Sequence, residues 1–389
     1  MTTSVRITGV ILATLLACNL HAEDKARVSV ISSQKPAGTI DLSLLNEVNA
    51  AVDRGLDWLA ANQKPDGSFS NGDFPALTAL AMDAFIRSKH PQRKQVLDKG
   101  LAYLLSCRQP DGGIYRKLEN RKGGGLSNYN TAICMTTIHA MGDRALAPVI
   151  LKAREFVSKS QHFGEDVSNG GFGYDRDNKR AYTDLLNTYY SVQAMRLTQD
   201  AEDLRPGTEQ RSDIDWKAVI EYIEKMHNKA VSGEANTGGF FYRPGESKAG
   251  SFTNEQGVIV FRSFGSITYA GSMALIYAQV PADDPRVRSA LEWASKYWTL
   301  DENPGMGQQG VYFFYDILTR AVSAAGIDLV KRPDGTFLNW REPLARKVVS
   351  LQKIDEKTGM GYWVNTDGTY WENDPVLATS YALAALELL

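Results

Sequence analysis

Gln63-Lys64-Pro65-Asp66-Gly67-Ser68-Phe69 and Gln109-Pro110-Asp111-Gly112-Gly113-Ile114-Tyr115 are one turn written twice. The chain writes it again at Asn169-Gly170-Gly171-Phe172-Gly173-Tyr174 and at Thr237-Gly238-Gly239-Phe240-Phe241-Tyr242. A divergent copy, Pro304-Gly305-Met306-Gly307-Gln308-Gln309-Gly310, and a last one, Gly359-Met360-Gly361-Tyr362-Trp363, complete six. Internal repetition at this spacing marks a repeat architecture. Pro-Asp-Gly and Gly-Gly fix tight turns, because glycine reaches positive φ without a Cβ clash and proline pre-sets φ. Asp66 and Asp111 are therefore turn formers, and Phe69, Tyr115, Phe172 and Phe240 are expected to plug between adjacent hairpins.

Helices flank every turn. The one before is amphipathic: Val48, Val52, Leu56 and Leu59 fall at helical spacing, as do Leu97, Leu101 and Leu104, and later Leu344, Val348 and Leu351. The one after is apolar nearly all round, as over 77–86, 131–141, 266–280 and 376–389. A helix of that kind is buried on most sides. Six alternations predict an all-α fold, an α/α toroid of six helical hairpins with an outer and an inner ring. The last inner helix closes on the first unit.

The expected organisation is a signal peptide over 1–22, a tail and linker over 23–46, and the ring over 47–389. Arg6 supplies the positive start of the leader, Val10 to Ala17 its apolar run, and Leu20-His21-Ala22 its cleavage site. That predicts a periplasmic or secreted protein. A rival reading takes Leu15-Leu16-Ala17-Cys18 as a lipoprotein site, which would bring the chain to a membrane surface. Cys107 and Cys134 read as two buried thiols, with one bridge open to them in an oxidising compartment. With 23% charged residues and a net charge of −2, and with neither a basic block nor an acidic tail, no nucleic-acid partner is expected.

The turns resemble the Gln-to-Trp repeats of squalene and oxidosqualene cyclases, with Phe69 or Tyr115 in place of Trp, and the shorter repeats of protein prenyltransferase β-subunits. Three stretches resemble the single-domain, squalene-cyclase-like repeat proteins of some bacterial lineages. They are Arg262-Ser263-Phe264-Gly265-Ser266-Ile267-Thr268-Tyr269-Ala270-Gly271, the run 300–310, and Trp371-Glu372-Asn373-Asp374-Pro375-Val376-Leu377-Ala378-Thr379. The resemblance implies the toroid fold and a hydrophobic, isoprenoid ligand; fold alone carries no activity.

The motifs of the family's reactions are missing. Squalene cyclases protonate an alkene with the middle carboxylate of Asp-x-Asp-Asp-Thr-Ala. If Asp374 takes the last Asp of that motif, Asn373 falls on the proton donor, and an amide cannot protonate an alkene. Neither cysteine lies in the Asp-x-Cys of the zinc prenyltransferases, and the histidines form no ligand spacing, so neither metal nor cofactor is expected. Asp283-Asp284-Pro285 resembles only the start of a magnesium motif and is better explained as a helix cap. If a reaction exists, Asp374 is the acid the family's placement implies, with Glu372 beside it.

The other candidates lie where inner helices begin: Asn128, then Asp184, Asn187 and Thr188 as a polar stripe, Tyr269, and Tyr312, Tyr315 and Asp316. They are expected either to rim a cavity with an aromatic wall or to serve as helix caps. Three functions compete. An isoprenoid site would use aromatic rings against an apolar chain; it is the favoured reading. A non-catalytic, protein-binding scaffold fits the missing motifs. A carbohydrate-active enzyme would need Asp184, Asp316 and Asp374 to converge.

Overall fold

The computed structural model describes residues 40–118, 125–176 and 182–389. The expected leader, Cys18 and most of the tail lie outside the described residues. Twelve α-helices are described, in outer–inner pairs. The outer helices are α1 (Leu42–Ala61), α3 (Arg93–Ser106), α5 (Ala147–Ser158), α7 (Trp216–Glu224), α9 (Pro285–Lys296) and α11 (Arg341–Ser350). The inner ones are α2 (Pro75–Ile86), α4 (Ser127–Ala140), α6 (Leu185–Leu197), α8 (Gly265–Tyr277), α10 (Val311–Ala324) and α12 (Pro375–Leu386). The first helix begins inside the segment expected to be tail, because Asp41 caps it: Leu44 N–H donates to Asp41 Oδ1 at 3.0 Å.

Inner helices pack in sequence, α2 on α4 and so on to α10 on α12, and α12 returns to α2. The ring is closed. Outer helices lean on the preceding unit, α3 on α2, α5 on α4 and α9 on α8, while α1 packs on α11 and α12. The two classes separate by burial. In α12 eleven of twelve residues are buried, against six of twenty in α1. The uniformly apolar pattern marks the first class and the one-sided pattern the second.

One device locks turn to inner helix in five units. Phe69 N–H donates to Thr78 Oγ1 at 2.9 Å, Ile114 N–H to Thr131 at 2.9 Å and Phe172 N–H to Thr188 at 3.1 Å. Phe240 N–H donates to Thr268 at 3.0 Å and Trp363 N–H to Thr379 at 3.0 Å. The five side chains that lead these bonds are fully buried plugs. In the second unit the plug is Ile114, not Tyr115. In the first four units the register runs from the glycine of positive φ, two residues before the plug, and not from the first aromatic; Tyr115 lies one place on, against Phe156.

That glycine is required. At Gly67 (φ +87°) an added Cβ would lie 2.2 Å from Lys99 O, and at Gly170 (φ +90°) 2.1 Å from Ala218 O. The first four turns thus rest on the backbone of the next outer helix. Gln63 Nε2 reinforces the contact by donating to Val96 O at 3.0 Å, and Gln161 Nε2 does so to Asp215 O at 3.0 Å. At the seam Gln352 Nε2 reaches Ala51 O at 2.8 Å, carrying the pattern across the closure.

Sheet is confined to three antiparallel pairs among the described residues: β1 (Ser251–Thr253) with β2 (Ile259–Phe261), β3 (Leu329–Lys331) with β4 (Phe337–Asn339), and β5 (Lys353–Ile354) with β6 (Gly361–Tyr362). Cys107 and Cys134 are buried, unbridged thiols.

Candidate functional site

The first amides of a helix lack partners within it. Here the next unit supplies them. Ala76 N–H donates to Asn130 Oδ1 at 2.9 Å, Asn128 N–H to Tyr174 O at 2.9 Å and Leu185 N–H to Tyr242 O at 2.9 Å. Ser266 N–H donates to Asn303 Oδ1 at 2.9 Å. For α10 the acceptor is Glu372, whose carboxylate takes Tyr312 N–H at 3.2 Å and Phe313 N–H at 2.8 Å. Asp374 caps its own α12 through Val376 N–H at 2.9 Å and accepts the hydroxyl of Ser70 from the first unit.

These bonds place most of the residues singled out in the sequence. Glu372 is buried and also accepts Asn365 Nδ2 at 2.9 Å. Burial raises its pKa, and the amides of α10 oppose the rise. Asp184 is fully buried at the start of α6, where its carboxylate accepts Asn187 N–H at 2.8 Å and Asn187 Nδ2 at 2.7 Å. Burial pushes it up to about 6 against the pull of Asn187 and Tyr242. Thr188 is one of the five locking threonines. Asn128 donates through Nδ2 to Gly173 O at 2.9 Å and to Ser191 Oγ at 3.0 Å. Asn128, Asp184, Asn187 and Thr188 do come together, but as a buried joint between α4 and α6. Asn128 Oδ1 and Asn187 Oδ1 are buried there without a partner.

The remaining candidates lie elsewhere. Tyr315 donates to Leu300 O at 2.7 Å and stands edge-on to Tyr312, while Tyr269 packs near Phe314; all three are buried between helices. Asp316 is held by Arg320 Nε at 2.7 Å. Asp184, Asp316 and Asp374 therefore have separate partners, in separate units, and form no acid pair.

The lumen is bridged. Tyr190 of α6 lies 5.3 Å from Tyr129 of α4, ring centre to ring centre, and 6.4 Å from Phe313 of α10; Phe313 lies 5.6 Å from Tyr381 of α12. Helices α6 and α10 are not neighbours, so these rings meet across the axis. Tyr381 also interacts with Tyr129 and Tyr190 through their hydroxyls. Burial pushes Tyr129 up to about 12. A charged layer fills the far end. Arg320 lies 4.0 Å from Asp83 of α2, and Gln193 Nε2 donates to Tyr189 at 3.1 Å and Tyr277 at 3.2 Å. Burial pushes Glu387, 3.1 Å from Arg87, up to about 7.

The mouth on the turn side is aromatic. Half-buried Tyr129, Tyr174, Tyr182 and Phe313 line it, with Tyr370 from the sixth unit. Arg243 lies over the Tyr182 ring at 4.4 Å and is paired with Glu246 at 2.7 Å. The sequence reading missed Phe313, Tyr129, Tyr190 and Tyr381. Phe313, Asp316 and Arg320 share one helical face, and that spacing was the available signal. A separate cleft of about 450 Å3 opens at the seam, lined by Trp58, Asn62, Lys64, Ser70, Asn373, Asp374, Pro375 and Val376.

Among the described residues no three His, Cys, Asp or Glu side chains gather to hold a metal ion. His90, His139 and His162 pair one by one with Asp57, Asp200 and Asp166. No described helix is long and apolar enough to cross a membrane.

No protein-family model and no curated relative matches the chain. Solved structures do. The type II terpene cyclase MstE from Scytonema superposes with a TM-score of 0.52 at 11% identity, over 88% of this chain and 100% of the cyclase. The chain has the terpenoid-cyclase α/α-toroid fold. Candida albicans protein geranylgeranyltransferase-I, solved with GGPP, gives 0.50 at 13% identity over 89% of this chain and 91% of its own. An α-1,6-mannanase from Salegentibacter sp. gives 0.52 at 12% identity, over 88% and 98%. The same toroid thus serves both an isoprenoid and a carbohydrate enzyme, and the local site has to decide between them.

Proposed function

We propose that this protein binds a hydrophobic ligand of the isoprenoid class at the turn-side mouth of its ring, without cyclase or zinc-prenyltransferase chemistry. The aromatic floor carries this reading: Tyr129 and Phe313 face the mouth half-buried, with Tyr190 and Tyr381 behind them. Such rings take an apolar chain by burial and offer π faces to polarised carbons. The carboxylates argue against proton-initiated cyclisation. Glu372, Asp374 and Asp184 cap helices, and Asp316 pairs with Arg320. The ligand therefore rests on the bridge, not inside the ring.

The leader-like first 22 residues lead us to propose that binding occurs outside the cytoplasm. Mass spectrometry of the mature N-terminus tests this: cleavage after Ala22 supports it, acylation at Cys18 moves the site to a membrane surface, and an intact Met1 refutes it. A scaffold role is the second reading, and the filled lumen favours it. Native mass spectrometry of protein purified gently from its host separates the two. A bound apolar molecule, displaced by farnesol or geranylgeraniol, is expected. An unliganded protein that binds nothing across a panel of prenyl alcohols, diphosphates and quinones would leave the scaffold.

A further inference from the structure

Between Asn365 and Asp374 the chain forms a short strap beside the start of α10. Asn365 ties it: its N–H donates to Glu372 O at 2.9 Å, and its Nδ2 to Gln308 O at 2.7 Å. Within the strap Asp367 Oδ1 accepts Thr369 N–H at 2.9 Å. At the crest Tyr370 and Trp371 follow one another with φ of +59° and +64°. Bulky side chains seldom adopt this left-handed backbone, and two in succession persist only where their surroundings enforce it.

The strain does not serve to bury the rings. Tyr370 remains 47% exposed and Trp371 41% exposed. Trp371 stands edge-on to Phe74 at 4.7 Å, at the head of α2. Tyr370 lies close over Gly310, where an added Cβ would sit 3.4 Å from its ring. Its hydroxyl lies within the field of Glu246 and Tyr182, on the walls of the fourth and third units. The strap thus sets Tyr370 against Gly310, at the start of α10, and Trp371 against the head of α2, while its Glu372 caps the amide of Phe313, three residues after Gly310.

We propose that Tyr370 and Trp371 form an aromatic clamp that covers a prenyl chain lying on the Tyr129–Phe313 floor. This rests on the reading of the mouth as a hydrophobic-ligand site and names the residues that close it. An apolar chain is the occupant that the surroundings favour. Arg243 and Lys248, the cations beside Tyr182 and Tyr242, are both paired with Glu246. What the strap offers is ring faces, which gain by being covered.

The test titrates the whole protein with a dansyl-labelled farnesol analogue, comparing wild type with Tyr370→Gly, Trp371→Gly and Trp371→Phe. Glycine accepts the left-handed backbone without strain, so Tyr370→Gly should melt close to the wild-type temperature, and Trp371→Gly, which also gives up the edge contact with Phe74, only slightly below it. Their affinity should fall about tenfold or more, while Trp371→Phe stays close to wild type. Glycine variants that bind as tightly as wild type overturn the clamp and leave the mouth site standing. A clear fall in melting temperature assigns the rings to structure and overturns it as well. A wild-type protein that binds no prenyl probe removes the mouth reading and the clamp together.

Discussion

Thr78, Thr131, Thr188, Thr268 and Thr379 do one job five times, accepting the amide of the residue that plugs each hairpin. Phe240→Ala should cost about 3–5 kcal/mol in urea unfolding, for a fully buried ring. Thr268→Val keeps the shape but strands Phe240 N–H, and about 1–3 kcal/mol is expected. Asp184 gives a pH-dependent case. Its pKa is raised from 3.8 to about 6, so the folded state holds a proton that the unfolded chain releases. The stability this confers is complete below pH 4 and is lost as pH rises through about 6, roughly 3 kcal/mol in all. Asp184→Asn should remove that slope and be close to neutral at pH 7.5. Asparagine caps a helix, and Asn187 can turn its amide so that its unpartnered Oδ1 accepts the new donor. Melting curves from pH 4 to 8 check both statements. A variant with an unchanged slope would mean that Asp184 is ionised throughout. The polar stripe was legible in the sequence at Asp184, Asn187 and Thr188. Its role was not, because a cap and a ligand contact need the same residue types, and only the partner distinguishes them.

At the level of elements, five of the six inner helices receive an N-terminal partner from the following unit, and Glu372 is the clearest instance. Glu372→Ala would leave Tyr312 and Phe313 amides unpaired in a buried site, at about 1–3 kcal/mol each. Hydrogen exchange should show the first turn of α10 opening before the rest of that helix. Unchanged protection there would mean that another group caps α10. The sequence made the elements themselves plain. Apolar patterns over Leu77 to Ile86 and Val376 to Leu389 separated inner helices from one-sided helices such as α1 and α3. The plug of the second unit was not legible because Ile114 and Tyr115 are adjacent, and glycine register, not aromaticity, decides between them. Tyr312, Phe313 and Tyr315 pose a similar ambiguity. All three begin α10, and which face meets the axis is fixed only when α10 packs between α8 and α12. The left-handed Tyr370–Trp371 pair left no mark in composition or spacing, since backbone strain is imposed by the assembled units on either side.

For the whole molecule, the decisive contact is α12 on α2. An open solenoid is approximately a sum of repeats and nearest-neighbour interfaces, so it can fray from its ends. A closed ring has no end repeat. Every inner helix here has two inner neighbours, and rings and charges from α2, α4, α6, α8, α10 and α12 share the axis. Losing any unit therefore exposes two interfaces and opens the lumen core as well. The closure is pinned at three depths: Gln352 to Ala51 among the outer helices, Ser70 to Asp374 at the turns, and Arg87 to Glu387 at the far end. Unfolding should accordingly be one cooperative transition despite the repeats, with circular dichroism and tryptophan fluorescence tracing the same urea curve. Gln352→Ala should lose about 1–2 kcal/mol of stability with its bonds to Ala51 and Arg54, seen as a lower midpoint at unchanged slope. Two separated transitions, or a variant whose slope falls because the seam opens first, would show that the ring unfolds as a solenoid. The lumen bridge would then be a local contact, too weak to hold the six units as one body.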